Sequence, residues 1–204
     1  MKDIPVPHFD DLETRSADQR AADLARALPR QLARAIDRAP AIAGLLRDID
    51  PASVTNAAAL AKLPVIRKSE LTRAQADYPP FGGFAARPAD EFHHIFQSPG
   101  PIYEPSRVDN DWWRTGRFLH ACSIGRGDIV HNCFGYHLTP AGMIFEAGAR
   151  AVGAAVLPAG TGQTELQVRA AADVGSTAYA GTPDYLKGIL DKAEEMGERL
   201  KITR

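Results

Sequence analysis

The apolar positions change their period along the chain. Leu24, Leu28, Leu32 and Ile36 recur every four residues, the spacing of one helical face. Ser16-Ala17-Asp18-Gln19 in front of them fits a capping box. Pro29 interrupts the stripe and, lacking an N–H, predicts two helices rather than one. Pro40 and Pro51 bound a further short apolar helix around Ile42 to Ile49. Tyr78-Pro79-Pro80-Phe81-Gly82-Gly83-Phe84 and Pro88 predict a loop over 72–90. The rhythm then switches to short β-prone runs alternating with helical stretches. Strands are predicted at His93–Gln97, Asp128–Phe134, Ala154–Leu157 and Ser176–Ala180. Helices are predicted at Asp109–Ser123, Pro140–Val152, Thr164–Ala172 and Pro183–Met196. Thr182 is the expected N-cap of the last helix, with Pro183 at its first position and Asp184 near the positive dipole end. Thr164 is the expected cap of the helix before it. Leu200–Arg204 reads as the start of another strand.

Strand–helix units in succession predict an α/β fold, a doubly wound and mainly parallel sheet wrapped by helices. The expected organisation is a helical region with a lead-in loop over 1–90, then a parallel βα subdomain over 91–204. An incomplete sheet leaves a strand edge to be covered, by self-association or by a further carboxyl-terminal segment.

Composition narrows the function classes. Over 204 residues the formal net charge is -1, and only 7% of residues are aromatic. Such a chain lacks the electrostatic surplus and stacking platform of a nucleic-acid binder. The arginines between Arg15 and Arg38 alternate with Asp18, Asp23 and Asp37, which predicts a solvated, salt-bridged face. No apolar run reaches membrane-spanning length, and the N-terminus has no apolar core of a secretion signal, so a cytoplasmic location is expected. Cys122 and Cys133 read as reduced core thiols. His131, Cys133 and His137 are the one tempting metal cluster, but no second ligand pair follows, and no metal site is expected.

In an open parallel sheet, ligands bind beyond the carboxyl ends of the strands. Four loops are expected on that rim: Ser98–Pro105, Gly135–Thr139, Pro158–Gln163 and Gly181–Asp184. All are rich in Gly, Pro, Thr or Tyr. Gly160-Thr161-Gly162-Gln163-Thr164 has the look of a phosphate loop at a helix start, without the third glycine of a dinucleotide fingerprint or the lysine of a P-loop. No nucleophile elbow is present, and no catalytic residue is assigned within the chain.

Several segments carry a family resemblance. Gly127-Asp128-Ile129-Val130-His131-Asn132-Cys133-Phe134-Gly135-Tyr136 resembles a stretch of the phenylacetate–coenzyme A ligases, which are adenylate-forming (AMP-binding) enzymes. The likeness continues through Gly153-Ala154-Ala155-Val156-Leu157-Pro158-Ala159-Gly160, Thr164-Glu165-Leu166-Gln167 and Gly181-Thr182-Pro183-Asp184-Tyr185. Upstream, Leu63-Pro64-Val65-Ile66-Arg67-Lys68-Ser69-Glu70-Leu71 and Phe81-Gly82-Gly83 resemble the lead-in of that family. The resemblance implies the amino-terminal half of a ligase, truncated within the sheet and inactive alone. It implies a carboxylic acid activated by ATP to an acyl-adenylate with magnesium, then transferred to coenzyme A. It further implies an acyl pocket walled by Phe134, Gly135 and Tyr136, suited to an aromatic acid, with Thr182, Pro183 and Asp184 beside it. Ser98 and Gly100 are what this chain retains of the family's nucleotide-phosphate loop. There Ser98-Pro99-Gly100-Pro101-Ile102-Tyr103-Glu104-Pro105 replaces a threonine- and lysine-bearing sequence. Prolines donate no N–H, and Glu104 repels a polyphosphate. The alternative is a non-catalytic, degenerate module that does not use ATP. A flavodoxin-like flavin binder is a third class, in which the helical first part has no place.

Overall fold

The computed structural model describes residues 7–109 and 111–204. They form two compact units, one over residues 10–107 and one over 108–204 together with 7–9.

The first unit opens with α1 (Ala17–Arg38), and its capping box forms as the sequence requires. The Ser16 hydroxyl accepts from the Gln19 N–H at 3.2 Å, and the Gln19 side chain accepts from the Ser16 N–H at 2.8 Å. The expected break at Pro29 does not occur, and α1 runs through it. The proline forfeits one ladder bond, while Arg30 Nε donates to the Arg26 carbonyl at 3.0 Å on the same turn. Asp23 bridges Arg15 and Arg26, so the arginine stripe is the predicted salt-bridged face. The short helices α2 (Pro40–Leu45) and α3 (Ala57–Leu60) follow. Then comes α4 (Lys68–Asp77), which takes residues 72–77 out of the predicted loop.

The first predicted strand is real but pairs differently. The strands β1 (His94–Ser98) and β2 (Ile102–Ser106) form an antiparallel hairpin, with Ser98 opposite Ile102. Three residues cannot carry a parallel crossover, which needs about a dozen. Ser98–Pro105 is therefore a hairpin turn and its return strand, not a loop at the end of a parallel strand. Gln75 of α4, buried, caps the β2 edge by donating to the Tyr103 carbonyl at 2.9 Å and accepting from its N–H at 2.8 Å.

The second unit holds the parallel sheet. The helix α5 (Gly116–Ala121) starts later than the predicted Asp109, part of whose span (residue 110) lies outside the described residues. The Asp111 carboxylate accepts from the N–H groups of Thr115 and Gly116 at 2.9 and 2.8 Å and sets that start. Then follow β3 (Ile129–Asn132), α6 (Ala141–Ala151), β4 (Ala155–Pro158), α7 (Thr164–Val174), β5 (Ala178–Ala180) and α8 (Pro183–Met196). The strand order is β4-β3-β5, all parallel, with Asn132 level with Pro158 on one side and Ala180 on the other.

The central strand is buried on both faces. Val130 packs with Leu119, Ile124, Ala149 and Ala178 beneath α5 and α6. His131 turns the other way, to Gln167 of α7. Val168, Ile189 and Ala193 join α7 to α8. Helices thus cover both faces of the sheet, as a doubly wound fold requires. Thr182 is the N-cap of α8, followed by Pro183 and Asp184 in its first turn as the sequence requires, although its side chain accepts no N–H of the helix. Thr164 is instead the first residue of α7, whose N-cap is a left-handed Gln163.

At the outer edge of β5, Thr203 N–H donates to the Thr177 carbonyl and Tyr179 N–H to the Arg204 carbonyl, both at 2.9 Å. The predicted start of another strand thus begins to pair. Asp128, 3% exposed, anchors it. Its carboxylate accepts from Arg204 at 2.9 Å, the Thr177 hydroxyl at 2.8 Å and the Gly125 N–H at 3.0 Å. We predict that Asp128→Ala lowers stability by about 3 kcal/mol in urea unfolding, because buried donors and a guanidinium lose their acceptor. Arg204→Met combined with it should cost less than the sum of the two single changes. Full additivity would contradict the coupling.

Candidate functional site

The in-register parallel strands bring three loops to one edge of the sheet: 133–139 after β3, 159–163 after β4 and 181–182 after β5. Backbone bonds tie them together. Cys133 N–H donates to the Ala180 carbonyl at 2.7 Å, and the N–H groups of Ala159 and Gly160 both donate to the Asn132 carbonyl at 3.0 Å.

Two fully buried polar side chains at the end of β3 organise this rim. Asn132 accepts from the Phe134 N–H at 3.2 Å. It donates to the Tyr136 hydroxyl at 2.8 Å and to the Gly142 carbonyl at 2.9 Å. The loop after β3 is therefore folded around one carboxamide. His131 faces the opposite side, its Nε2 2.9 Å from Gln167 Oε1. The same oxygen accepts from the Cys133 thiol at 3.2 Å. The Tyr179 ring lies edge-on to His131, and its hydroxyl donates to the Thr182 carbonyl at 3.0 Å. Tyr185 donates to the Gly162 carbonyl at 2.9 Å. Burial depresses the pKa of His131 below its ordinary 6.5 and pushes the Cys133 thiol up to about 12, so both are neutral and the thiol is inert.

The residues expected at the site fall as follows. Phe134 stacks on Phe145 with ring centroids 4.4 Å apart, one face spent on the core. Gly135 accepts from the Gly142 N–H at 2.9 Å. Tyr136 has its hydroxyl taken up by Asn132, and burial, then Glu146, raises its pKa. Thr182, Pro183 and Asp184 form the start of α8. The Thr182 side chain and then the local backbone N–H groups hold the Asp184 carboxyl below the usual carboxylate range. These six gather on the three-loop edge. Ser98 and Gly100 do not join them as ends of a parallel strand. They sit at the hairpin turn of the other unit, where the Ser98 hydroxyl donates to Glu104 at 2.7 Å.

The side chains that organise the rim, Asn132 and Gln167, were not among the sequence candidates. Two consecutive polar residues, His131 and Asn132, ending a β-prone run are the signal for Asn132. Gln167 gave none beyond its place in a family-like run. Among the described residues no three His, Cys, Asp or Glu side chains cluster to hold a metal ion, so these side chains alone do not fit a magnesium cage. The first unit has an apolar cleft of about 420 Å³ lined by Leu71, Phe81, Phe84 and Ile102, with the charged Lys68 and Glu104 also on its wall.

Two outcomes follow. A Cβ on Gly142 would lie 2.8 Å from the Tyr136 ring and 2.9 Å from the Gly135 carbonyl. Gly142→Ala should displace Tyr136, shift its NMR signals and cost about 1–3 kcal/mol. Unchanged Tyr136 signals would contradict this packing. For His131 the folded pKa lies below the unfolded one, so the unfolded chain binds the extra proton. Its contribution to stability is complete above pH about 6.5 and declines as pH falls below that. Melting temperature should therefore fall more steeply from pH 7.5 to 5 in the native chain than in His131→Leu. Equal slopes would contradict the buried neutral imidazole.

Comparison with known proteins gives a consistent answer. No family model matches the chain. The phenylacetate–coenzyme A ligase of Aromatoleum evansii is 33% identical over 158 residues, covering 74% of this chain and 35% of that protein. The Pseudomonas putida enzyme of the same name is 30% identical over 198 residues, covering 93% of this chain and 44% of its own length. The chain thus spans roughly two-fifths of the length of these curated relatives. Among solved structures, a 2-hydroxyisobutyryl-CoA ligase in complex with 2-HIB-AMP and CoA superposes with a TM-score of 0.80 at 23% identity, over 91% of this chain and 42% of that one. A likeness at that identity fixes the fold. From the ordered sequence matches and the shared architecture, this chain is a phenylacetate–coenzyme A ligase-like member of the adenylate-forming superfamily.

Proposed function

We propose that this chain supplies the acid- and adenylate-facing rim of an ATP-dependent carboxylic acid–CoA ligase. The observation that carries the reading is the three-loop edge, in a chain whose curated relatives are named as such ligases. The rim combines the half-buried aromatic side chains Phe134 and Tyr136 with two loops opening directly into the N-termini of α7 and α8. An apolar or aromatic acyl group fits the first feature, and an anionic phosphate the second. In this reading Phe134, Gly135 and Tyr136 bound the acyl group, and Thr182, Pro183 and Asp184 flank it. ATP, AMP and coenzyme A are reactants, and the setting is the cytoplasm. The 204-residue chain carries binding geometry without the complete reaction, and a further segment or a second copy covers the sheet edge beyond β5.

A second reading has its own observation. The turn expected to grip phosphate is a closed hairpin, and the Ser98 hydroxyl is bonded to the Glu104 carboxylate. A degenerate module that does not use ATP would look like this.

Calorimetry with 5′-O-(N-phenylacetylsulfamoyl)adenosine, a non-reactive acyl-adenylate mimic, separates the two. The ligase reading predicts saturable binding of the mimic that AMP competes away. No heat with the mimic, ATP or any of a panel of aryl and alkyl acids would remove it. The degenerate reading predicts that Glu104→Gln creates ATP affinity where the native chain has none, and strong ATP binding by the native chain would defeat it.

A further inference from the structure

Gln167 occupies an unusual place. It is 5% exposed, one turn into α7, and both ends of its carboxamide are fully engaged. Its Nε2 donates to the Gly162 carbonyl at 2.7 Å and the Gly160 carbonyl at 3.1 Å, with the Ala159 carbonyl at 3.5 Å. Its Oε1 meets His131 Nε2 at 2.9 Å and the Cys133 thiol at 3.2 Å. One neutral group thus bridges the loop after β4 to the central strand.

The backbone ties the start of this loop to β3 at Ala159 and Gly160, and beyond them side chains hold it. Gly160, Gly162 and Gln163 take φ of +66°, +82° and +49°, so no helix or strand ladder runs through it. The Gly162 carbonyl is held by two side chains, Gln167 and Tyr185. A carboxamide is the side-chain group that donates twice and accepts twice in this space. Glutamate would aim a carboxylate at three carbonyl oxygens, methionine would bond to none of them, and asparagine is one methylene short. Because Oε1 is an acceptor only, the proton of neutral His131 sits on Nε2, leaving Nδ1 buried without a partner.

We infer that Gln167 is a positioning residue: it sets the 159–163 loop in its left-handed shape and locks it to β3, preorganising the rim for the activated acid. The inference rests on the ligand reading above, and its consequence for affinity is that of any preorganised loop.

The test uses the whole 204-residue chain, native and as Gln167→Glu and Gln167→Met. The methionine variant introduces no buried charge and guards against a glutamate variant that fails to fold. In the methionine variant, the amides of Ala159 and Gly160, which donate to the Asn132 carbonyl, should exchange with deuterium about tenfold faster than in the native chain, the factor expected for one lost hydrogen bond. Amides of 168–172 and 189–193 should change by less than about threefold, reporting intact helices. Nitrogen-15 spectra should find the native His131 proton on Nε2 and lose that preference in the methionine variant. Affinity for the sulfamoyl mimic should fall about tenfold.

Unchanged loop exchange overturns the inference. So does faster exchange with unchanged affinity, because the loop would then be irrelevant to the ligand. Loosening of both helices assigns Gln167 a purely structural role and also overturns it. If the native chain binds no mimic, the ligand reading falls by itself, and loop exchange with the histidine tautomer still decides whether Gln167 holds the loop.

Discussion

A strand buried on both faces cannot carry a polar side chain without a partner, and β3 ends in two. His131 and Asn132 are both fully buried. Each must find hydrogen bonds in the layer that its face of the strand meets. Alternation sends them in opposite directions, Asn132 toward α6 and His131 toward α7. Each therefore recruits a different loop. Asn132 folds the 133–136 turn around itself, and His131, through Gln167, reaches the 159–162 turn. The rim is the geometric result of satisfying two buried polar groups at the carboxyl end of one strand.

The same constraint explains why the polar groups beneath the candidate site are spent internally. The hydrogen-bonding capacity of the Asn132 and Gln167 amides is spent inside the protein. Phe134 is half-buried against Phe145, and Tyr136 has its hydroxyl tied down. What remains at the rim is the half-buried ring surface of Phe134 and Tyr136 beside the exposed side chains of Thr161, Gln163, Thr182 and Asp184, at the entrance to two helices. The buried, neutral His131 and Cys133 have structural partners and no exposure, so they serve the scaffold rather than proton transfer.

Much of this was legible in the sequence because it depends on local rules. The Ser16 capping box, the β-prone runs at β3, β4 and β5, and the helices between them follow from period and punctuation. So does the convergence of the three loops, given parallel strands. The errors share a cause, which is that one local signal has more than one tertiary use. Pro29 was read as a break, but an otherwise continuous amphipathic helix absorbs one missing bond. Pro99-Gly100-Pro101 was read as a rim loop, whereas its shortness dictates a hairpin. Thr164 was read as a cap, but it lies inside α7, which starts from a left-handed Gln163. The part played by Gln167 was invisible for the opposite reason. Its partner His131 lies 36 residues away, and no local pattern marks it.

The claim at the centre is that one ligand meets all three loops at once. Hydrogen–deuterium exchange of the chain with and without the sulfamoyl mimic tests it most directly. The account predicts slowed exchange at 133–136, 159–163 and 181–184 together, rising with the same saturation curve. Protection confined to a single loop, or appearing only within residues 10–107, would contradict it.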